Sequence, residues 1–152
     1  MKKIFLLSIV FILLSLSFSF SQEKGFGLGV ILGEPTGFSA KYWTSENNAL
    51  DFGLGYSFTS TNNVFYLHGD YIFHNFYLIQ STEKFVVYYG PGARFKVREN
   101  DSRLGIRGVA GILWIPANSS FDLFMEIAPI LDFVPATKID FAGGIGARYF
   151  FN

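Results

Sequence analysis

The sequence predicts an all-β fold, an eight-stranded antiparallel transmembrane β-barrel whose strands follow one another as an up-and-down meander. Two observations predict it: apolar residues recur at every second position, and the charged residues fall on the opposite parity. The final segment, Lys138 to Asn152, shows both. One face of this segment is uncharged and ends in aromatic residues, while the other carries Asp140, Arg148 and small residues. Such a strand suits a wall with lipid outside and a narrow polar interior.

Length and composition restrict the class of protein. The chain has 152 residues, which fits a single domain, and 50% of them are hydrophobic. Basic and acidic residues balance at 12 each, so nothing predicts electrostatic attraction to nucleic acid, and no nucleic-acid partner is expected. The chain has no cysteine, which excludes a disulfide scaffold, a thiolate metal site, a cysteine nucleophile and a lipidated N-terminal cysteine.

The N-terminal segment, residues 1–21, has the features of a secretory signal peptide. Lysines precede an apolar run from Ile4 to Leu16, and Ser19 and Ser21 supply the small residues of a cleavage site. The alternative is a membrane anchor, but the run is short for a spanning helix, which needs about 20 apolar residues. We therefore expect a signal peptide at 1–21 and an outer-membrane β-barrel domain at 22–152.

The rest of the chain predicts strands separated by turn-forming sequences. No later stretch sustains the length of a transmembrane helix, and helical periodicity is absent. The turn G-E-P-T-G at 33–37 is typical of a hairpin, since Pro35 fixes φ and glycine permits positive φ. The apolar stretch after His74 is predicted to extend the fourth strand or to form a structured turn. The predicted strands are 25–33, 36–43, 49–58, 64–74, 84–97, 103–114, 120–132 and 138–151.

The parity of the charges assigns the two faces of the wall. One parity contains no charged residue in any predicted strand, and Ile106 and Leu123 are expected on this lipid-facing side near mid-strand. A soluble β-sandwich could also alternate. However, the other parity is rich in glycine, which weakens a solvent-facing strand but fits a crowded lumen. The predicted inward charged and histidine residues are Lys41, Asp51, His68, Asp70, His74, Arg94, Lys96, Arg103, Arg107, Asp122, Glu126, Asp132, Asp140 and Arg148.

Two prolines conflict with regular pairing in a closed barrel. Pro91 and Pro129 lie inside predicted strands, where each lacks the N–H that a ladder requires. We therefore expect bulges or broken ladder positions beside them.

Six motifs along the chain resemble those of a known group of proteins. They are L-G-E-P-T-G at 32–37, K-Y-W at 41–43, D-Y-I-F-H-N at 70–75, Y-Y-G-P-G-A-R at 88–94, F-M-E-I-A-P-I-L-D at 124–132 and G-I-G-A-R-Y-F-F at 144–151. They resemble a family of small, uncharacterised outer-membrane β-barrel proteins, and the resemblance covers essentially the whole mature chain. It implies the barrel fold but no reaction, because none is assigned to the family. In plan the chain is also similar to the eight-stranded barrels of enterobacterial outer membranes, although Asn152 follows the aromatic residue on which those barrels commonly end.

The histidines are the main candidates for chemistry. His68 and His74 share the inward parity of one strand with Asp70 between them, but zinc needs three or four convergent ligands, so polar filler is the favoured interpretation. A Ser-His-Glu hydrolase acting on lipid A occurs on eight-stranded barrels, and Glu126 with a histidine resembles it. No serine lies two residues beyond either histidine, as that family's F-x-H-x-S pattern requires.

The glycines of G-F-G-L-G at 25–29 lack the helix of a phosphate-binding loop. No catalytic, cofactor-binding or metal-ligating residue is therefore assigned, no cofactor is expected, and an enzyme is not predicted.

The expected protein is a small non-porin barrel of the outer membrane of a diderm bacterium, with a plugged polar lumen and a structural or surface-interaction role. The alternative is a lipid-modifying enzyme that uses a lumen-edge histidine. Expected partners are outer-membrane lipid, lipopolysaccharide or its equivalent, and the barrel-assembly machinery during insertion; a monomer is expected. The lumen should be plugged by salt bridges, foremost Glu126 with Arg107 or Arg148, because unpaired charges in a narrow interior are costly.

Overall fold

The computed structural model describes residues 25–57 and 64–151, which form a closed barrel of eight strands. Each strand pairs antiparallel with its sequence neighbour, and β8 pairs with β1 to close the wall. The predicted fold class, an all-β eight-stranded antiparallel barrel, is confirmed. The predicted signal peptide at 1–21, the connection at 58–63 and Asn152 lie outside the described residues.

The strands begin and end within two residues of the predicted positions wherever both can be compared. Residues 76–83 form bends and no strand, so the apolar stretch after His74 is a structured turn. No helix in the described ranges is long and apolar enough to cross a membrane. The strands are β1 Phe26–Glu34, β2 Thr36–Trp43, β3 Asn48–Ser57, β4 Val64–Asn75, β5 Lys84–Arg98, β6 Asp101–Ile115, β7 Phe121–Val134 and β8 Lys138–Phe151.

The first and last strands define the two ends of the barrel. Phe26 pairs with Phe151, so the start of β1 and the end of β8 lie together at what we call the terminal end. Connections 44–47, 76–83 and 116–120 lie at this end, because every strand reverses direction. The opposite end carries the tight β1–β2 turn, in which Gly33 has a φ of 144° and its N–H donates to Thr36 Oγ1 at 3.0 Å.

Charged side chains lie inside the barrel and large apolar side chains cover its outside, which is the reverse of a water-soluble protein, while apolar residues such as Ile72 and Leu113 are also buried in the interior. Every predicted outward residue in the described strands is exposed or half-buried, including large apolar side chains such as Phe38, Ile127 and Phe141. The predicted inward charged and histidine residues are buried, except Arg103 and Asp140, which are half-buried. The parity assignment is therefore confirmed.

The ladders are interrupted beside both prolines, as predicted. Between β4 and β5 the pairs stop at Asp70–Gly92 and resume at Phe73–Tyr89, which leaves Pro91 unpaired on that side. Between β6 and β7 they stop at Arg107–Ile130 and resume at Ala110–Ile127, which leaves Pro129 unpaired on that side. The β7–β8 ladder continues through Pro129. In an antiparallel sheet the backbone N–H and C=O of one residue point toward the same neighbouring strand, so the missing N–H affects one ladder only.

One bulge lies away from the prolines. The β6–β7 register shifts between Leu104 and Gly105, so Leu104 pairs with Val134 while Gly105 pairs with Asp132. The extra residue, Phe133, and Val134 are both exposed, while Asp132 remains directed into the lumen. A bulge can re-aim side chains in this way at a barrel rim.

Candidate functional site in the barrel lumen

The lumen contains a set of ion pairs in which each of three arginines contacts two carboxylates; we call it the lumen network. Its nine members project inward from six strands, β3 to β8, because all occupy the inward parity. The arginines lie at successive heights, with Arg148 nearest the terminal end, Arg107 in the middle and Arg94 nearest the opposite end.

Arg148 on β8 forms the part of the network nearest the terminal end. Its Nη1 lies 2.7 Å from Asp51 Oδ2 on β3, and its Nε lies 3.0 Å from Asp122 Oδ1 on β7. The guanidinium also lies over the ring of Phe124, with Cζ 4.0 Å from the ring centroid. The arginine therefore joins three strands and has an aromatic contact that favours a cation.

Arg107 on β6 forms the middle of the network. Its Nε lies 3.0 Å from Asp70 Oδ1 on β4, and its Nη2 lies 3.3 Å from Glu126 Oε1 on β7. The other oxygen of Glu126 accepts a hydrogen bond from the Tyr88 hydroxyl at 2.8 Å. The predicted pair of Glu126 with Arg107 is confirmed, while Arg148 takes Asp51 and Asp122 instead.

Arg94 on β5 forms the part of the network nearest the opposite end. It bonds Asp132 on β7 through Nη2, and its Nη1 lies 3.0 Å from Asp140 Oδ2 on β8. Its Cζ lies 5.6 Å from the ring centroid of buried Tyr66. Neither β7 nor β8 is next to β5 in the wall, so these bonds cross the lumen.

At the opposite end of the lumen, Glu34 contacts residues of two other strands, although the sequence predicted it in a turn. Lys96 Nζ lies 3.2 Å from Glu34 Oε1, and the Ser57 hydroxyl donates to the same carboxylate. Glu34 is the last residue of β1, and the turn that follows directs its side chain inward. Its membership in the lumen could not be predicted because residues at strand ends lose the strict alternation.

The histidines occupy separate surroundings. His68 Nδ1 lies 3.1 Å from Asp70 Oδ2, which places this imidazole beside the middle of the lumen network. His74 Nε2 lies 2.7 Å from Lys41 Nζ, and His74 Nδ1 lies 3.0 Å from Asn47 O. Asn47 O can only accept, so Nδ1 of His74 is the nitrogen that carries hydrogen in this contact.

Aromatic rings surround His74 near the terminal end. Trp43 lies 4.2 Å from it between ring centroids, Tyr88 5.8 Å and Phe76 6.3 Å. Lys41 Nζ lies 4.6 Å from the Trp43 ring centroid, so its ammonium is covered by aromatic faces. The parity of the charges predicted a polar inward face with small residues, and it did not predict this apolar part of the lumen.

Glycines provide the space that the large inward side chains occupy. A Cβ at Gly53 would overlap the His68 ring, one at Gly92 would overlap Asp70 Oδ1, and one at Gly111 would overlap the Tyr88 ring end. A Cβ at Gly105 would similarly overlap Asp132 Oδ1. These four inward glycines thus have a specific role: each lies on a strand beside a polar or aromatic side chain and accommodates it.

Among the described residues, no group of three or more histidine, aspartate and glutamate side chains is arranged to hold a metal ion. The fold and the lumen together define a closed eight-stranded antiparallel barrel with buried charged side chains in its interior. Comparison with known proteins finds no matching family model, curated protein or solved structure. The resemblance to small outer-membrane barrels therefore stays a prediction from the sequence motifs.

Proposed function

We propose that this protein is a small non-porin β-barrel of the outer membrane of a diderm bacterium, with a structural or surface-interaction role. The observation that supports the proposal is the inverted distribution of side chains. Arg94, Arg148 and Lys41 are fully buried in the lumen, whereas Phe38, Ile139 and Phe141 on the outer face are about 70% exposed.

The outer face is chemically suited to lipid. Large exposed apolar side chains occur on all eight strands, whereas soluble monomers rarely expose contiguous apolar patches above roughly 300–600 Å². The closed ladder also leaves no edge strand whose backbone groups would need water. Each feature removes one cost of placing a β-sheet in hydrocarbon.

The lumen supports a non-porin role. Eight-stranded barrels have an interior that side chains just fill, and aqueous channels are found at about 16–18 strands. In this barrel, Arg148, Arg107 and Arg94 cross the interior at successive heights and bond carboxylates on other strands. An ion passing through would have to displace these pairs.

The proposal includes export through the N-terminal segment at 1–21, periplasmic termini and a monomeric state. The partners are outer-membrane lipid, with lipopolysaccharide or its equivalent, and the barrel-assembly machinery during insertion. The sequence motifs that resemble small outer-membrane barrels support this placement.

Membrane fractionation with gel mobility tests the proposal. The protein should sediment with outer-membrane markers and resist carbonate extraction, and the unheated sample should migrate differently from the boiled one because a folded barrel resists detergent. Recovery as a soluble periplasmic protein would refute the placement. A variant lacking residues 1–21 should remain cytoplasmic, which tests the export segment separately.

The alternative, a lipid-modifying enzyme with a lumen-edge histidine, is less well supported. His68 and His74 are 2% and 6% exposed, and His74 lies near the terminal end, which the proposed orientation places away from lipopolysaccharide. Lipid A composition measured with His68→Ala and His74→Ala is the direct test. A change in acylation with either variant would favour the enzyme.

A further inference from the structure

The connection between β4 and β5, residues 76–83, is the most apolar exposed connection that the structure describes. Tyr77 is 88% exposed and Leu78 is 61% exposed. No large hydrophobic side chain in the other described connections is exposed to this extent. From Phe76 to Thr82 the sequence F-Y-L-I-Q-S-T contains no charge, so this surface offers little for an electrostatic partner.

The exposed pair is held in place by its neighbours. Phe76 packs against the buried cluster inside the barrel, and Lys84 Nζ lies 5.3 Å from its ring centroid. The Tyr77 N–H donates to Asn75 Oδ1 at 3.0 Å. At the far end of the connection, Glu83 Oε2 accepts a hydrogen bond from Trp114 Nε1 at 3.2 Å. The connection is therefore anchored on both sides.

The alternation of β4 continues beyond its last residue. His74 is buried, Asn75 half-buried, Phe76 directed to the core and Tyr77 exposed, so Tyr77 continues the outward parity. The adjacent part of the outer face is aromatic. The ring centroids of Phe73 and Tyr89 are 6.2 Å apart, and Phe85 stacks on Trp114 with a centroid distance of 6.3 Å. Tyr77 thus extends the apolar outer face past the end of β4, and the adjacent Leu78 is also exposed.

Amphipathic aromatic residues are concentrated at this end of the outer face. Four outward residues of this kind lie near the terminal end: Tyr42, Tyr71, Trp114 and Tyr149. Near the opposite end, the described strands have one outward tyrosine, Tyr56. Tyrosine and tryptophan prefer the boundary between lipid and water, because one part of the ring system is apolar and the other hydrogen-bonds.

We infer that residues 77–79 insert into the interfacial region of the lipid leaflet next to the terminal end and anchor that end of the barrel. This inference rests on the proposed function, since it requires the barrel to span a membrane. It adds that the longest described connection binds the leaflet on the side of the termini. Bacterial barrels usually have short periplasmic turns, so such an anchor is a departure from the common plan.

Site-directed spin labelling tests the inference cleanly, because the chain has no cysteine of its own. Leu78→Cys in the full mature chain would be labelled with a nitroxide and reconstituted in phosphatidylcholine vesicles. Power saturation would compare accessibility to oxygen, which partitions into lipid, with accessibility to a water-soluble nickel chelate. Two matched labels complete the set: Thr82→Cys in the same connection, and Ile106→Cys on the outer face.

The inference predicts that the Leu78 label favours oxygen over nickel, while the Thr82 label favours nickel. Equal nickel preference at both positions would overturn it. A Leu78 label shielded from both reagents would also overturn it, because a protein surface or second copy would then cover the segment. The Ile106 label separates the two proposals: if it favours nickel, the barrel itself is not in the membrane.

Discussion

Arg148 on β8 bonds Asp51 on β3 at 2.7 Å, although these two strands are not neighbours in the wall. The same guanidinium holds Asp122 at 3.0 Å, and Arg148 is 1% exposed. Two buried carboxylates thus share one guanidinium. The side-chain network, and not only the backbone ladder, fixes the distance across the barrel at this height.

Replacing Arg148 with methionine should destabilise the barrel strongly. The variant leaves Asp51 and Asp122 buried without their cation, and removal of one partner of a buried ion pair typically costs about 3–5 kcal/mol. Urea unfolding of the reconstituted protein, followed by tryptophan fluorescence, measures the loss.

A triple variant provides the control for Arg148. Combining Arg148→Met with Asp51→Asn and Asp122→Asn removes the uncompensated charges and should recover most of the lost stability, since neutral groups are cheaper to bury. If Arg148→Met alone unfolds at the same urea concentration as the native sequence, the network does not stabilise the barrel.

Gly92, on the inner face of β5, and Gly108, on the outer face of β6, offer two contrasting alanine substitutions in adjacent strands. A Cβ at Gly92 would overlap Asp70 Oδ1, whereas a Cβ at Gly108 meets nothing within 4 Å. We expect Gly92→Ala to displace Asp70 from Arg107 and to cost about 1–3 kcal/mol, as overpacking does. Gly108→Ala should be neutral or slightly stabilising, because it restricts the unfolded chain. Urea midpoints of the two variants test this, and equal midpoints would contradict the role given to the inward glycines.

Ile106 tests the assignment of the outer face to lipid. It is 56% exposed in the middle of β6, and arginine at the bilayer midplane of a barrel costs about 2–4 kcal/mol. Ile106→Arg should therefore fold poorly in vesicles, as measured by the fraction with heat-modifiable mobility. Thr82→Arg, in the exposed connection, should fold normally. A native yield for Ile106→Arg would contradict the lipid-facing assignment.

Leu123 should tolerate arginine better than Ile106 does. Sequence analysis expected it near mid-strand, but it is the third residue of β7 and pairs with Trp114 near the terminal end. The cost of a charge on the lipid face falls to about 0–1 kcal/mol near the interfaces. The same folding assay should therefore rank Leu123→Arg between Ile106→Arg and the native sequence, and the reverse order would contradict the depth assignment.

The fold was predictable because its signal is local and repeated. Each strand shows alternation by itself, and β2 and β8 have the predicted bounds, since turn residues such as Pro35 border them closely. The unpaired sides of Pro91 and Pro129 were predictable for the same reason, as a missing N–H is a property of one residue.

The lumen was only partly predictable because its contacts depend on register and on the shape of the closed wall. The residues that point inward follow from parity, but the choice of Asp51 by Arg148 requires knowing which strands face each other across the interior. The bulge at Phe133 and the inward turn of Glu34 are similarly set by tertiary structure. The apolar cluster at Trp43 was not predicted, because the parity of the charges carries no information on which aromatic residues share the inward face.

The middle of the lumen network allows a direct test of the proposed plugged lumen. Arg107 contacts Asp70 on β4 and Glu126 on β7, and the Tyr88 hydroxyl donates a hydrogen bond to Glu126. Removing Arg107 leaves two buried carboxylates that repel each other, whereas removing Glu126 leaves Arg107 paired with Asp70. Substitution of Arg107 should therefore disrupt the middle of the lumen network more than substitution of Glu126 does.

Planar-bilayer recording should show a silent native protein, frequent openings for Arg107→Ala and rarer openings for Glu126→Ala. The reason is that an uncompensated buried charge favours entry of water and counter-ions, and Arg107→Ala creates more of it. Met125→Ala, on the outer face of the same strand as Glu126, should stay silent as the matched control. Steady, salt-dependent conductance from the purified native monomer would refute the plugged lumen. Silence of Arg107→Ala in protein with native heat-modifiable mobility would show that this ion pair does not close it.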